Sequence, residues 1–241
     1  MDEHVATSVE HPYVPHLGES RQYWRDMILG VNDGLVSIFL LVAGVVGGQL
    51  ASRQVLLTAI AGAIAGAISM ATGEWLATKS QEEVFDREIA LEREHIKYHR
   101  EGEVDQLWDM LGNIGLDGET LAAAVEQIAS SDDRLMQSMK VLEFGVTEDG
   151  RRSPWRAAVF SGGLFLVGAL PSVVPFFFIT DTFSALMWAG ILSGIGLFAV
   201  GAAKSMATKT NLWRSGVENL GVSLTGAILS FWVGRAYEAT F

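Results

Sequence analysis

Residues 55–100 read VLLTAIAGAIAGAISMATGEWLATKSQEEVFDREIALEREHIKYHR, and this stretch decides the fold. Its first part, 55–77, is apolar and long enough to cross a bilayer, which takes about 20 mostly apolar residues in a helix. From Trp75 to Arg100 the sequence has neither proline nor glycine, and it is rich in good helix formers. We therefore predict one long helix that leaves the membrane and continues in water.

Four more stretches are long and apolar enough to span a membrane, in a chain of 241 residues that is 49% hydrophobic. They are 27–50, 155–179, 184–203 and 212–233. Pro171 and Pro175 predict that the third span is kinked or ends early. The fold class is therefore all-α, a polytopic membrane protein with five transmembrane helices. The predicted domains are a disordered tail (1–20), two spans (21–80), an acidic helical domain (81–152) and three spans (153–241).

Charge is concentrated in one segment and indicates the orientation. Residues 80–150 contain 18 of the 28 acidic residues but six of the 17 basic ones. With a cytoplasmic N-terminus, 15 of the 17 Lys and Arg residues lie inside, as the positive-inside rule requires. The N-terminus and residues 81–152 are therefore predicted to be cytoplasmic. An acidic domain at a membrane entrance concentrates cations.

Two classes of function are disfavoured by composition. The sequence lacks a strong basic patch, so we expect no nucleic-acid partner. It contains no cysteine, which excludes disulfides, thiolate metal sites and cysteine nucleophiles.

Polar residues inside the predicted spans indicate a transport path. Asn32 and Asp33 lie in the first span, and Glu74 lies about one turn from the end of the second. Ionisable residues in a span are costly and are functional candidates. Met70 precedes Glu74 by four residues and shares its helix face, so a thioether and a carboxylate lie together. Such ligands suit a first-row divalent ion such as Fe²⁺ better than Mg²⁺ or Ca²⁺.

The helix that follows the second span carries candidate metal ligands. Glu88, Glu92, His95 and His99 are spaced by 4, 3 and 4 residues and share one stripe. Glu92 and His95 form a Glu-x-x-His element, but a di-iron bundle needs two such elements and we find one.

The rest of the acidic domain is predicted to be helical. We expect a turn at Gly102, a short helix over 103–111, a loop over 112–118 and one or two helices over 119–144, with a break near 130–132. Met139 and Glu143 are four residues apart in the last of these and lie side by side on its surface.

These features together resemble the vacuolar iron transporter (VIT) family of divalent-metal transporters. The matching residues are GVNDGLVS at 30–37, AGAISMATGEWLATKS at 65–80 and the glutamate-rich helix that follows. The resemblance implies five spans, a cytoplasmic metal-binding domain, a homodimer and proton-coupled export of Fe²⁺. It also implies roles for single residues. Those at matching positions are Asp33 and Met70 in the pore, and Glu92, Glu103, Met139 and Glu143 as metal ligands in the cytoplasmic helices.

The match departs from the family pattern at three positions. Eukaryotic members carry an acidic residue two turns before the pore methionine, where this chain has Gly62. His95 and Gln106 stand where glutamates are expected. We hypothesise that Glu74 supplies the carboxylate that Gly62 lacks.

We therefore predict a transporter, not an enzyme, that moves Fe²⁺ out of the cytosol in exchange for protons. Mn²⁺, Co²⁺ and Zn²⁺ also fit its ligands. The expected partners are membrane lipid, divalent metal ions, protons and a second copy in a homodimer, with no organic cofactor. Short loops favour a prokaryotic inner membrane. Two alternatives are a membrane-anchored iron-sequestering or ferroxidase-like protein and a metal-gated channel. The lone Glu-x-x-His element and Asp33 within the span argue against the first.

Overall fold

The computed structural model describes residues 20–145, 151–208 and 211–240, and this part of the chain is helical without a strand. The predicted disordered tail lies outside the described residues except for Ser20, which begins α1. The helices are α1 (Ser20–Gly47), α2 (Ser52–Tyr98), α3 (Arg100–Asn113), α4 (Gly118–Ala129), α5 (Asp132–Leu142), α6 (Pro154–Val173), α7 (Pro175–Phe178), α8 (Thr182–Thr208) and α9 (Leu212–Thr240).

Five of these helices are long and apolar enough to cross a membrane, which confirms the prediction of a five-span membrane protein. They are α1, α2, α6, α8 and α9. The third span ends early, as predicted: α6 stops at Val173, and the short α7 begins at Pro175. Pro175 has no N–H to continue the hydrogen-bond ladder of α6. Pro171 is accommodated inside α6.

The long second helix is confirmed. It runs unbroken for 47 residues, which is about 70 Å at 1.5 Å per residue. Its membrane half buries small residues four apart, Ala59, Ala63 and Ala67. Its second half is covered by α3, α4 and α5 through a separate apolar core that includes Ile96, Leu107 and further side chains of those helices. We call the second half of α2 together with α3–α5 the helical domain.

The turn out of α2 lies at His99 and not at Gly102, so that prediction is wrong. His99 has φ −131° and ψ 34°, outside the helical region, and α3 begins at the next residue. Gly102 lies within α3, where it costs about 1 kcal/mol relative to alanine. Folding α3 back on α2 buries Leu107 and Leu111, and each buried leucine contributes roughly 1.5–3 kcal/mol. The predicted break near 130–132 is confirmed, because α4 ends at Ala129 and α5 begins at Asp132.

The membrane helices pack backbone against backbone at glycines. A Cβ atom on Gly34 of α1 would overlap the carbonyl oxygen of Phe165, and one on Gly168 of α6 would overlap that of Val31. Helices in lipid lack a hydrophobic driving force between them, so they associate through close packing at small residues. The α1–α6 contact therefore depends on these two glycines.

We expect Gly168→Ala to lower the stability of the membrane part, because the added methyl group has no space beside the Val31 carbonyl. Overpacking of this kind costs about 1–3 kcal/mol. Thermal unfolding of the purified protein in detergent measures the effect. The matched control is Gly163→Ala in the same helix, where a Cβ meets nothing within 4 Å. Equal melting temperatures for the two variants would contradict this account of the α1–α6 contact.

Candidate functional site

A groove between α1, α2 and α6 contains two of the predicted path residues, Asp33 and Met70. Its volume is about 420 Å³. Its lining consists of Asp33, Ser37, Ile38, Leu41, Gly62, Gly66, Ser69, Met70 and Phe165. The Ser37 hydroxyl donates a 2.8 Å hydrogen bond to Asp33 Oδ1. We call this the Asp33 groove. A carboxylate, a thioether and two hydroxyls thus meet in one opening.

The space that Gly62 and Gly66 leave on α2 is largely filled by neighbouring side chains. A Cβ on Gly62 would contact Leu41, and one on Gly66 would contact the ring of Phe165. Both glycines still line the groove. Little open space therefore remains on the face of α2 beside Met70.

Asn32 lies away from the Asp33 groove, although it is adjacent to Asp33 in sequence. Asn219 of α9 donates a 2.8 Å hydrogen bond to Asn32 Oδ1 and a 3.1 Å bond to the Leu197 carbonyl. Asn32 lines a different cavity of about 670 Å³ between α1, α8 and α9. Consecutive residues of a helix point about 100° apart, which separates the two side chains.

Glu74 lies outside the lining of the Asp33 groove and interacts with the start of the third span. Its Oε1 is 3.7 Å from Arg152 Nη1. Arg152 also bonds Asp26, a residue of α1 that is 2% exposed. Asp26 was not predicted from the sequence. Its signal is an acidic residue immediately before Met27, where the predicted first span begins.

The neighbouring Arg151 connects the return to the membrane with the second half of α2. Its guanidinium donates to Glu82 Oε2 at 2.6 Å and to Asp86 Oδ1 at 2.8 Å. The backbone N–H of Arg152 donates to the other Glu82 oxygen at 3.2 Å. Residues 151–152 therefore hold α1, α2 and the start of α6 in a fixed relation.

Three of the predicted metal ligands come together in the helical domain. Carboxylate oxygens of Glu92 and Glu103 and a ring nitrogen of His95 all lie within 4.8 Å of one another. His95 Nδ1 is 3.2 Å from Glu103 Oε1 and 3.9 Å from Glu92 Oε2. The reversal at His99 brings Glu103 of α3 opposite the last turns of α2. We call these three residues the Glu92 cluster.

The two carboxylates of the Glu92 cluster are buried at a cost that a cation would offset. Glu92 is 3% exposed and Glu103 is 6% exposed. Glu92 Oε1 and Glu103 Oε2 find no hydrogen-bond donor among the described residues. Burial, as the largest cause, and the charges of Glu103 and Glu143 together raise the pKa of Glu92 from 4.5 to about 7. Buried carboxylates without donors are expensive unless they pair with positive charge.

The remaining candidate ligands, Met139, Glu143 and Glu88, are not part of the cluster. Met139 is fully buried in the core of the helical domain. Glu143 follows one turn later at the end of α5, and its charge acts on Glu92. Glu88 lines a separate cavity of about 410 Å³ with Phe85 and Phe144. The structure therefore brings together Glu92, His95 and Glu103, and it places Glu88 apart from them.

The cluster has the ligand types that a first-row divalent ion binds. Imidazole nitrogen and carboxylate oxygen suit Fe²⁺, Mn²⁺ and Zn²⁺, with metal–ligand distances of about 2.0–2.2 Å. Two ligands of one ion at such distances lie about 3–4 Å apart, which the His95–Glu103 and His95–Glu92 separations match.

The fold and the two groups of candidate ligands define the class: a five-span helical membrane protein with an acidic helical domain inserted between its second and third spans. Within this class the chain belongs to the VIT family, whose model matches residues 24–235.

Named relatives agree with this assignment. The chain is 27% identical over 215 residues to vacuolar iron transporter 1 of Tulipa gesneriana, covering 89% of this chain and 87% of that one. It is 27% identical over 214 residues to vacuolar iron transporter 1 of Arabidopsis thaliana, covering 89% and 86%. It is 26% identical over 210 residues to protein CCC1 of Saccharomyces cerevisiae, covering 84% and 64%.

We expect the metal-free protein to lose stability as pH rises from about 5 to about 7.5. The pKa of Glu92 is raised from 4.5 to about 7, so the folded protein keeps a proton that the unfolded chain has already lost. This contribution to stability is fully present below 4.5 and is lost as pH passes 7. Glu92→Gln carries no titrating proton and should reduce the pH dependence.

Thermal unfolding of chelator-treated protein across this pH range checks the prediction. Glu94→Gln, an exposed change on the same helix, is the matched control. A pH dependence that is identical in Glu92→Gln and in the control would show that Glu92 is not the titrating group.

Proposed function

We propose that this protein is a transporter that exports Fe²⁺ from the cytosol in exchange for protons. The proposal rests on two buried carboxylates, Glu92 and Glu103. One oxygen of each, Oε1 of Glu92 and Oε2 of Glu103, has no hydrogen-bond donor among the described residues. The same helix that carries Glu92 also carries Met70 of the Asp33 groove. Family membership supports the proposal, because two of the relatives named above are vacuolar iron transporters.

Capture of the ion is assigned to the helical domain. Its many carboxylates attract divalent cations from solution, and the Glu92 cluster supplies two carboxylates and an imidazole as ligands. Met139 and Glu143 of the α5 region complete the proposed ligand set, and the charge of Glu143 acts on Glu92. The carboxylates also suit Mn²⁺, and the nitrogen of His95 also suits Zn²⁺ and Co²⁺.

The path from the cluster to the membrane follows α2. Glu92 lies 18 residues beyond Glu74, which is about 27 Å along the helix, and Met70 lies about 6 Å further. In this proposal Glu74 binds the ion transiently at the entrance of the path, and Asp33 and Met70 bind it inside the membrane. Asn32 lies in a separate cavity, so its role is limited to positioning α1 against Asn219.

Proton exchange follows from the ligands. A carboxylate must lose its proton before it can bind a metal ion, so metal binding at Asp33 releases a proton and protonation releases the metal. An acidic compartment on the far side would drive the cycle in the export direction.

A homodimer is proposed because the Asp33 groove is open at its side. Asp33 is exposed in a single copy, and a carboxylate facing lipid at that depth is costly. A second copy packed against α1 and α2 would cover the groove and enclose the path. The proposed orientation places the N-terminus and the helical domain in the cytoplasm, in a prokaryotic inner membrane.

Transport into sealed proteoliposomes loaded with a metal-sensitive dye tests the function. We expect Fe²⁺ flux that rises when the interior is acidic. Asp33→Asn should lower it by about tenfold or more, since loss of a charged ligand costs at least 1.4 kcal/mol. The control is Asp181→Asn, because Asp181 caps α8 outside the groove by accepting the Ser184 N–H. Flux that ignores the pH gradient would favour a channel.

Removal of one ligand from the cluster should weaken metal binding without stopping the protein from folding. We expect Glu103→Gln to reduce Mn²⁺ affinity by about tenfold or more. Glu101→Gln, two residues away and exposed, should leave it unchanged. Isothermal titration with the full chain in detergent measures both, and equal affinities would contradict the assignment of the cluster.

A further inference from the structure

A second groove in the membrane part lies between α8 and α9, with α1 as its floor. Its volume is about 740 Å³, larger than that of the Asp33 groove. It extends along α8 from Phe183 to Leu197 and along α9 from Val217 to Trp232. The two helices approach closely at Gly201 and Gly216, and the groove lies beyond that contact. We call it the α8–α9 groove.

The α8–α9 groove offers contacts for hydrocarbon and little for a polar ligand. Among the described residues that line it, Ser223 is the one with a polar side chain other than the Trp232 ring N–H. The Ser223 hydroxyl donates to the Asn219 carbonyl of its own helix. Three glycines widen the walls, and a Cβ on Gly221 would meet nothing within 4 Å.

The length of the groove suits an acyl chain. The groove extends about 21 Å along α8. The hydrocarbon core of a bilayer is about 30 Å thick, so the acyl chain of one leaflet needs about 15 Å.

One end of the groove has the charge that a lipid phosphate needs. Arg235 follows Phe231 by four residues on the same face of α9 and is exposed. Trp232 lines the groove one turn earlier and is 65% exposed. Tryptophan and arginine in this arrangement are typical of the headgroup level of a membrane.

We propose that the α8–α9 groove binds one phospholipid, with an acyl chain between the two helices and its phosphate at Arg235. Because α8 and α9 span the bilayer, lipid is present at their surface at the concentration of a solvent. The bound chain fills the space between the facing sides of α8 and α9 over this length. The proposal does not depend on the transport function.

Photolabelling of the full chain in liposomes tests the proposal. The probe is phosphatidylglycerol with a diazirine in one acyl chain, and labelled residues are located by mass spectrometry. We expect labelling of Met187 and Leu224 in the groove to exceed that of Val159 and Val167, two exposed residues of α6, by about tenfold. Gly221→Leu should fill the groove and remove the excess.

Two further variants make the test specific. Gly163→Leu adds the same side chain at an open position of α6 and should leave groove labelling unchanged. Arg235→Gln should lower labelling of the α8–α9 groove, because the phosphate contact is lost while the groove that holds the acyl chain is unchanged. Equal labelling over all lipid-facing residues would overturn the proposal, because it would show ordinary surrounding lipid.

A second copy in the groove is the competing occupant. The chain has no cysteine, so Ile191→Cys introduces a single thiol into the groove wall. Lipid occupancy predicts that this variant stays free of disulfide-linked dimers in the membrane. Efficient cross-linking between copies would assign the groove to protein contact and overturn the lipid proposal.

Discussion

The unbroken hydrogen-bond ladder of α2 is the constraint on which the rest of the structure depends. In the bilayer every backbone N–H must be bonded within the chain, and in water a helix needs good formers and tertiary packing to persist. The first half of α2, with its small apolar residues, meets the condition for the bilayer. The second half, with its charged helix formers, meets the condition for water, and the helix runs unbroken for 47 residues. As a rigid rod, α2 sets a distance of about 27 Å between Glu74 and Glu92. The membrane helices and the helical domain are two separate cores on this one rod.

The architecture could be predicted from the sequence because hydropathy and length carry it directly. The five spans, the continuation of α2 into water and the early end of the third span all follow from composition and proline positions. The predictions that failed depended on neighbours distant in sequence. Gly102 was expected to turn the chain, but burial of Leu107 and Leu111 keeps it helical and moves the turn to His99. The space beside Gly62 and Gly66 is filled by Leu41 and Phe165, which no local pattern indicates.

The site could be predicted only in part, because some of its residues are brought together from parts of the chain that are distant in sequence. Helical spacing placed Glu92 and His95 on one face, but it also placed Glu88 there, and the structure separates Glu88 from them. Glu103 was predicted as a ligand only from the family resemblance. Residue spacing within α2 cannot show which side chains of α3 lie opposite it. A local signal exists: Glu92 lies between Ile89 and Ile96, and Glu103 precedes Leu107 and Leu111, so each carboxylate continues an apolar stripe. Asp26 was missed because its partner Arg152 is 126 positions away.

The separation of 126 residues between Asp26 and Arg152 determines when the first helices can reach their final packing during synthesis. Asp26 enters the membrane with the first helix, while Arg152 is synthesised 126 residues later, which takes about 6–25 s at 5–20 residues per second. During this interval the neighbouring Arg25 is the partner at hand for the Asp26 carboxylate. The first two helices therefore reach their final packing after α6 has begun to insert.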